Sequence, residues 1–173
     1  MLKGENVYLR PIELNDLNYL NAWKNDEETF KFLGGGYQPI SIDQQAKWIE
    51  SLIDLTGDTK RYIITTFKDD IAIGMIGLYG INWIHRTAEM GLYIGEENYR
   101  GKGYASEAYG IIENYAKKYL NLRKLNLEVV HNNNNAIKLW TRLGFSKAGK
   151  LSDERYIDGE YYDLSIMEKF INN

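Results

Sequence analysis

The residues best placed to do chemistry are Arg100-Gly101-Lys102-Gly103-Tyr104-Ala105. They form a glycine-rich loop between a strand-like run at 88–94 and a helix-like run from 105 to about 120. Glycines let a backbone approach a ligand closely. A helix N-terminus adds unpaired N–H groups and the positive end of a dipole. Together they make a cradle for a diphosphate, or else a tight strand-to-helix turn that binds nothing. The loop is not a Walker loop, because no Gly-Lys-Ser/Thr follows. It is not a dinucleotide fingerprint either, because Tyr104-Ala105-Ser106 follows Gly101 and Gly103 with no third glycine at the required place.

Other reactive groups are few. Histidine titrates near neutrality, but His85 and His131 fall at strand ends with no Asp or Ser partner at useful spacing, and they read as ordinary surface or loop residues. No set of His and carboxylates has metal-ligand spacing, so no metal is expected. Cysteine is absent, which excludes a disulfide framework, a thiolate metal site and a Cys nucleophile together. The net charge is −3, whereas a nucleic-acid binder shows a basic excess. The start lacks a signal-peptide stretch, and no run approaches the roughly 20 apolar residues of a membrane span. The expectation is a cytoplasmic chain with no nucleic-acid or membrane partner. Its 173 residues, 44% apolar and 26% charged, suit one domain over 1–173.

The elements that must position the loop follow from hydrophobic period. A first strand spans 7–12, closed by Pro11. Asn15 or Asp16 caps a helix through about 25, with Leu17, Leu20 and Trp23 on its buried face. Gly34-Gly35-Gly36 interrupts the chain. Ser41, with Gln44 three residues on, has the form of a capping box and starts a helix through about 55, with Ala46, Ile49 and Ile53 on one face. Strands at 61–67 and 71–81 are joined by a turn at Lys68-Asp69-Asp70. A loop at 82–87 leads to the strand at 88–94. After the glycine loop and its helix come a strand at 124–130 and a helix at 133–143, which Gly144 ends. Strands at 146–156 and 162–170 flank a turn at Asp158-Gly159. The order predicts an α/β (α+β) fold: a mixed, mostly antiparallel sheet of about seven strands with helices on both faces. Tyr161 and Tyr162 read as packing residues of the last hairpin, with lining of a substrate pocket as the alternative.

Arg100-Gly101-Lys102-Gly103-Tyr104-Ala105 resembles the R/Q-x-x-G-x-G/A coenzyme A loop of the GNAT superfamily of acetyltransferases. About thirty residues on, Asn133-Asn134-Asn135-Ala136, ending in Gly144-Phe145, resembles that family's N-x-x-A…G-F helix. Val7-Tyr8-Leu9-Arg10-Pro11, with Asp16 and Trp23, is similar to the branch of ribosomal-protein N-terminal acetyltransferases. Ile81-Asn82-Trp83-Ile84-His85-Arg86-Thr87-Ala88-Glu89 is similar to bacterial spermidine acetyltransferases. The resemblance covers essentially the whole chain.

The resemblance implies an N-acetyltransferase that moves acetyl from acetyl-CoA to a primary amine in a ternary complex. The acceptor would be a polyamine, a peptide N-terminus, an amino sugar or an aminoglycoside. Backbone amides of Gly101, Lys102, Gly103, Tyr104 and Ala105, with Arg100 leading and Ser106 following, would hold the pyrophosphate. The pantetheine arm would pair with Met90, Gly91, Leu92, Tyr93 and Ile94, where the strand splays from the one at 124–130, and an amide there would polarise the thioester. Ala136, Trp140 and Asn133 complete the implied coenzyme contacts, Asn133 also reading as an N-cap. Glu89 matches the acidic position that takes the proton from the amine, with pairing to Arg86 as its structural alternative. Relatives supply a Tyr where Trp140 stands; an indole N–H cannot protonate the departing thiolate, and Trp140 reads first as a packing residue. Tyr104, Tyr161, Tyr162 or solvent is left to do so, with Tyr104 taken as the second catalytic residue. A homodimer or higher homo-oligomer is implied. The alternative function is a non-catalytic acyl-CoA-binding or sensing module on the same fold, which the Trp140 departure would favour.

Overall fold

Ile63 and Ile64 are both fully buried, yet as neighbours on one strand they must point to opposite faces. Each finds its own helical layer. The computed structural model, which describes residues 1–172, sets eight strands between those layers. They are β1 (Leu2–Lys3), β2 (Val7–Pro11), β3 (Lys60–Thr66), β4 (Ala72–Asn82), β5 (Thr87–Ile94), β6 (Lys124–Val130), β7 (Ser146–Ile157) and β8 (Glu160–Phe170). Their order is β1-β2-β3-β4-β5-β6-β8-β7. Neighbours are antiparallel except β5 and β6, which run parallel. The sheet exceeds the expected seven strands by β1, whose two residues pair with Leu9 and Tyr8 and are too short to show an alternation.

Three helices cover one face: α1 (Leu17–Lys24), α2 (Glu27–Phe30) and α3 (Ile42–Ile53). Ile63 packs there with Ile12, Leu20, Trp23, Ile49 and Ala72. The other face carries α4 (Tyr104–Lys118) and α5 (Asn134–Arg142), where Ile64 joins Met90, Ala108, Tyr109, Ile112, Leu127 and Trp140. Burying each large side chain contributes about 1.5–3 kcal/mol.

Local chemistry departs from expectation at two helix starts or faces. Neither Asn15 nor Asp16 caps α1 with its side chain. A short 3-10 turn at Leu14–Asp16 precedes the helix, and the Asp16 carboxylate reaches back to the Glu13 N–H at 2.8 Å. Two Arg10 guanidinium nitrogens grip the same carboxylate at 2.8 Å each. Asp16 is only 3% exposed, and a buried carboxylate keeps its charge only with such partners. In α3, Ser41 Oγ does accept from the Gln44 N–H at 3.1 Å. However, Ala46 is exposed and Gln45 is buried in its stead, while Ile49 and Ile53 face the core as expected. The last hairpin turns through Asp158 and Gly159 at φ 50° and 84°, the paired positive angles a two-residue turn requires.

Candidate active site

The parallel pair β5–β6 holds together only over Thr87–Glu89 against Lys124–Asn126. Beyond Glu89 the two strands part. Peptide groups alternate in direction along a strand. Arg86 directs its carbonyl at the Arg123 and Lys124 N–H groups, so the even-numbered residues of β5 face β6. Met90 and Leu92 therefore present their peptide groups to the gap. Ile94 does the same, but its carbonyl accepts from Arg100 Nε at 3.0 Å. A strand edge of this kind is a template for an extended ligand.

The gap leads to a cleft of about 640 Å³ between the end of β5, the glycine-rich loop, the first turn of α4 and one side of α5. Gly101 and Gly103 have φ of 71° and 88°, and no atom lies within 4 Å of where a Cβ would stand on either. The left-handed backbone, rather than crowding, is what requires glycine there. The open space leaves room for a ligand against the N-terminus of α4. Ala105, Ser106 and Ala136 line the cleft as expected, and the Lys102 side chain is exposed in the loop.

Four expected contacts are placed differently. The Arg100 guanidinium turns away from the cleft: it donates to Ile94 O, to Gly95 O at 3.4 Å and to Thr29 Oγ1 at 2.7 Å, and it pairs with Asp26 at 3.5 Å. These bonds tie the loop to α2. Trp140 is 7% exposed and stacks edge-on with Tyr109 and Phe145 in the core, so it packs and does not line the cleft. Asn133 caps α5, its side-chain oxygen accepting from the Ala136 N–H at 3.4 Å, and it does not line the cleft. Tyr104 lines the cleft with its ring 5.7 Å from that of Tyr99. Glu89 does not line that cleft, so the cleft does not bring Tyr104 and Glu89 together.

The sequence reading missed Asn135, Lys138, Leu139 and Arg142, which also line the cleft. Their spacing puts them on one side of α5. Arg142 donates to Ser106 Oγ at 3.3 Å, bridging the two helices. Lys138 and Arg142 bring positive charge to a cleft that already has a helix N-terminus.

Glu89 stands at the other end of the free edge. Ala88 and Met90 are buried beneath α4 while Glu89 points to the opposite face, as strand alternation requires. Partial loss of water raises its carboxyl pKa, nearby Glu128 raises it further, and Arg155 opposes both. Arg155 is held to Glu128 at 2.8 Å. Arg86 does not engage Glu89: its guanidinium bonds Asn121. The raised pKa makes Glu89 a better proton acceptor than a surface carboxylate. Of the remaining side groups, His85 and His131 are exposed. Tyr161 stacks on Tyr156 on the outside of the last hairpin and Tyr162 bonds Glu160, so neither forms part of the core.

A splayed parallel pair in an otherwise antiparallel sheet, opening onto a left-handed loop at a helix start, makes a site for an extended ligand with an anionic end, as the expected acetyltransferase fold requires. The acetyltransferase (GNAT) domain family matches residues 6–146, and the chain belongs to that family. It is 31% identical to the spermidine N(1)-acetyltransferase of Escherichia coli K12 over 93% of this chain and 84% of that one. It is 29% identical to the spermidine N(1)-acetyltransferase of Vibrio cholerae over 95% of each. A crystal structure of the Vibrio cholerae spermidine N-acetyltransferase with CoA and spermine superposes with a TM-score of 0.87 at 27% identity, covering 96% of both chains. The chain is thus an N-acetyltransferase, with acetyl-CoA as its co-substrate.

Proposed function

We propose that the chain acetylates a small primary amine by direct attack, with Glu89 as the base. The observation that supports this reading is the continuous path from Glu89, along the free peptide groups of Met90 and Leu92, to the Gly101–Gly103 loop. The pyrophosphate of acetyl-CoA fits the N–H groups of Gly101 to Ala105, with Lys138 and Arg142 as counter-charges. Its pantetheine arm would pair with the β5 edge as an added strand, and the Met90 or Leu92 N–H would polarise the thioester carbonyl. Acetyl-CoA supplies an activated acetyl group.

The acceptor enters from the face Glu89 occupies. An aliphatic amine has a free pKa of about 10.4, so it must lose a proton to Glu89, directly or through water, before its nitrogen attacks. A thiol pKa near 8.5 makes the thiolate a workable leaving group with solvent as the proton source. Spermidine and spermine, the amines of the relatives' names, are the first acceptors to test.

The test is thiol release from acetyl-CoA in the presence of spermidine, spermine, an aminoglycoside, an amino sugar, and peptides with Ala or Ser N-termini. The protein has no cysteine to add background. Release with any acceptor supports the reading. Acetyl-CoA binding without release from any amine would instead support a sensing module.

A further inference from the structure

The strand residues that share Glu89's face between β3 and β6 carry three other charges. Lys124 pairs with Glu168 at 2.6 Å, and Glu128 pairs with Arg155 at 2.8 Å. Arg61 pairs with no carboxylate among the described residues, and neither does Glu89 with any cation. This face therefore holds one uncompensated cation and one uncompensated anion.

The register fixes how they are related. Arg61, Gly77 and Gly91 are partners across β3, β4 and β5. They span about 10 Å at the usual strand spacing, and Glu89 lies one side-chain repeat, about 7 Å, along β5 from Gly91. The ring of Tyr79 lies flat in the trough between them. A Cβ on Gly77 would meet the Tyr79 hydroxyl and Cζ at 2.8 Å, and a Cβ on Gly91 would meet Tyr79 Cε2 at 3.1 Å. Two facing glycines thus lower the floor so that an aromatic ring can cover it. The guanidinium of Arg61 lies over that ring, 5.3 Å from its centroid. A guanidinium carries five N–H donors in a planar fork, more than one ring neighbour can use. The floor from Glu89 to Arg61 is aromatic, and its two ends carry opposite charges.

We propose that the acceptor is a zwitterionic amine: a small molecule whose amino group goes to Glu89 and whose oxyanion, carboxylate or phosphate, goes to Arg61 across the ring of Tyr79. The proposal rests on the acetyltransferase reading and narrows its acceptor. A polycation such as spermidine would put a second ammonium against Arg61, which like-charge repulsion opposes. An anionic tail would gain a charge-assisted, planar contact there.

Matched four-carbon acceptors test this by thiol release: 4-aminobutanoate, butylamine and 1,4-diaminobutane, with 3-aminopropyl phosphate to separate phosphate from carboxylate. The expected order of kcat/KM is anionic, then neutral, then dicationic. Arg61→Met should reduce the ratio of the preferred anionic amine to butylamine by about 10- to 100-fold, the worth of one hydrogen bond to a charged group. Arg61→Glu should turn the preference towards 1,4-diaminobutane. If either variant fails to fold, Arg61→Lys keeps the charge and should keep the order with a smaller spread. A wild-type preference for 1,4-diaminobutane or spermidine over both anionic amines would overturn the zwitterion while leaving acetyl transfer standing. So would a ratio unmoved by every folded Arg61 variant. No turnover of any amine would overturn the acetyltransferase reading and the zwitterion with it.

Discussion

Replacing Glu89 with Gln keeps the shape of the side chain and removes its basicity. Glu89 is held by no salt bridge, and its carboxyl pKa is raised by loss of water and by Glu128. Removing a positioned general base costs about 100-fold or more in turnover. The cost should depend on pH in a way that can be worked out. An amine of pKa near 10.4 is about one part in 800 neutral at pH 7.5 and about one part in 9 at pH 9.5. The variant, which must capture already neutral amine, should regain about 100-fold in kcat/KM between those values, while the wild type gains far less. Stability should move the other way. A carboxyl with a raised folded pKa binds more protons in the native state, so its charged form opposes folding once pH exceeds the unfolded value of about 4.3. Gln removes that penalty, and the Tm of the variant at pH 7.5 should equal or exceed that of the wild type. Thiol release from pH 7 to 9.5 and thermal melts would check both. A loss of activity equal at every pH, or accompanied by a fall in Tm, would refute the base assignment and leave Glu89 a structural residue.

The cleft and the first turn of α4 give two further expectations. Replacing Lys138 and Arg142 together with Ala should raise the KM for acetyl-CoA about 10-fold or more and change kcat little, with the KM effect shrinking at high salt; initial rates at two ionic strengths would show it. Glu107 accepts from the backbone N–H groups of Glu5, Asn6 and Val7 at 2.7, 2.6 and 3.0 Å and from the Asn6 side chain at 3.0 Å. Glu107→Ala should cost about 2–3 kcal/mol, chiefly through the Val7 donor that water cannot reach, and lower Tm by about 5–10 °C. Burial acts to raise the Glu107 pKa, but the bonds from Asn6, Val7 and Glu5 outweigh it and the net shift is downward. Such a carboxylate stabilises the fold above the unfolded pKa of about 4.3 and loses that effect as pH falls through its lower folded value. The Tm gap between wild type and variant should accordingly be full at pH 7 and narrow as the pH falls below about 4, by the part that depends on the charge.

The glycine-rich loop and its helix start were legible in the sequence because the backbone makes them. Gly101 and Gly103 are required by positive φ, the helix start follows directly, and both signals lie within six residues. Where side chains do the work, local pattern misled. Arg100 looked like a phosphate contact, yet it is drawn to Thr29 and Asp26, more than seventy residues away in the chain. Trp140 falls on the motif, yet it packs in the core as its replacement of the usual Tyr suggested, in an aromatic cluster with Tyr109 and Phe145. The cleft side of α5 was hidden because Asn135, Lys138 and Arg142 read as an ordinary solvated helix face.

Of the proposed acceptor half, only Glu89 could be read locally. Arg61, Gly77, Tyr79 and Glu89 meet only through the registers of β3, β4 and β5. A slip of one residue in β3 would send Arg61 to the other face and bring Tyr62 or Lys60 in its place. The hydrophobic pattern prevents that slip for reasons unrelated to catalysis: Ile63 and Ile64 are each committed to a different core. Once the cores fix the register, the face beside Glu89 can change its side chains without disturbing either layer. Relatives near 30% identity can then share the coenzyme path and still differ in which amine they accept, and Arg61 over Tyr79 is where this chain would make that choice.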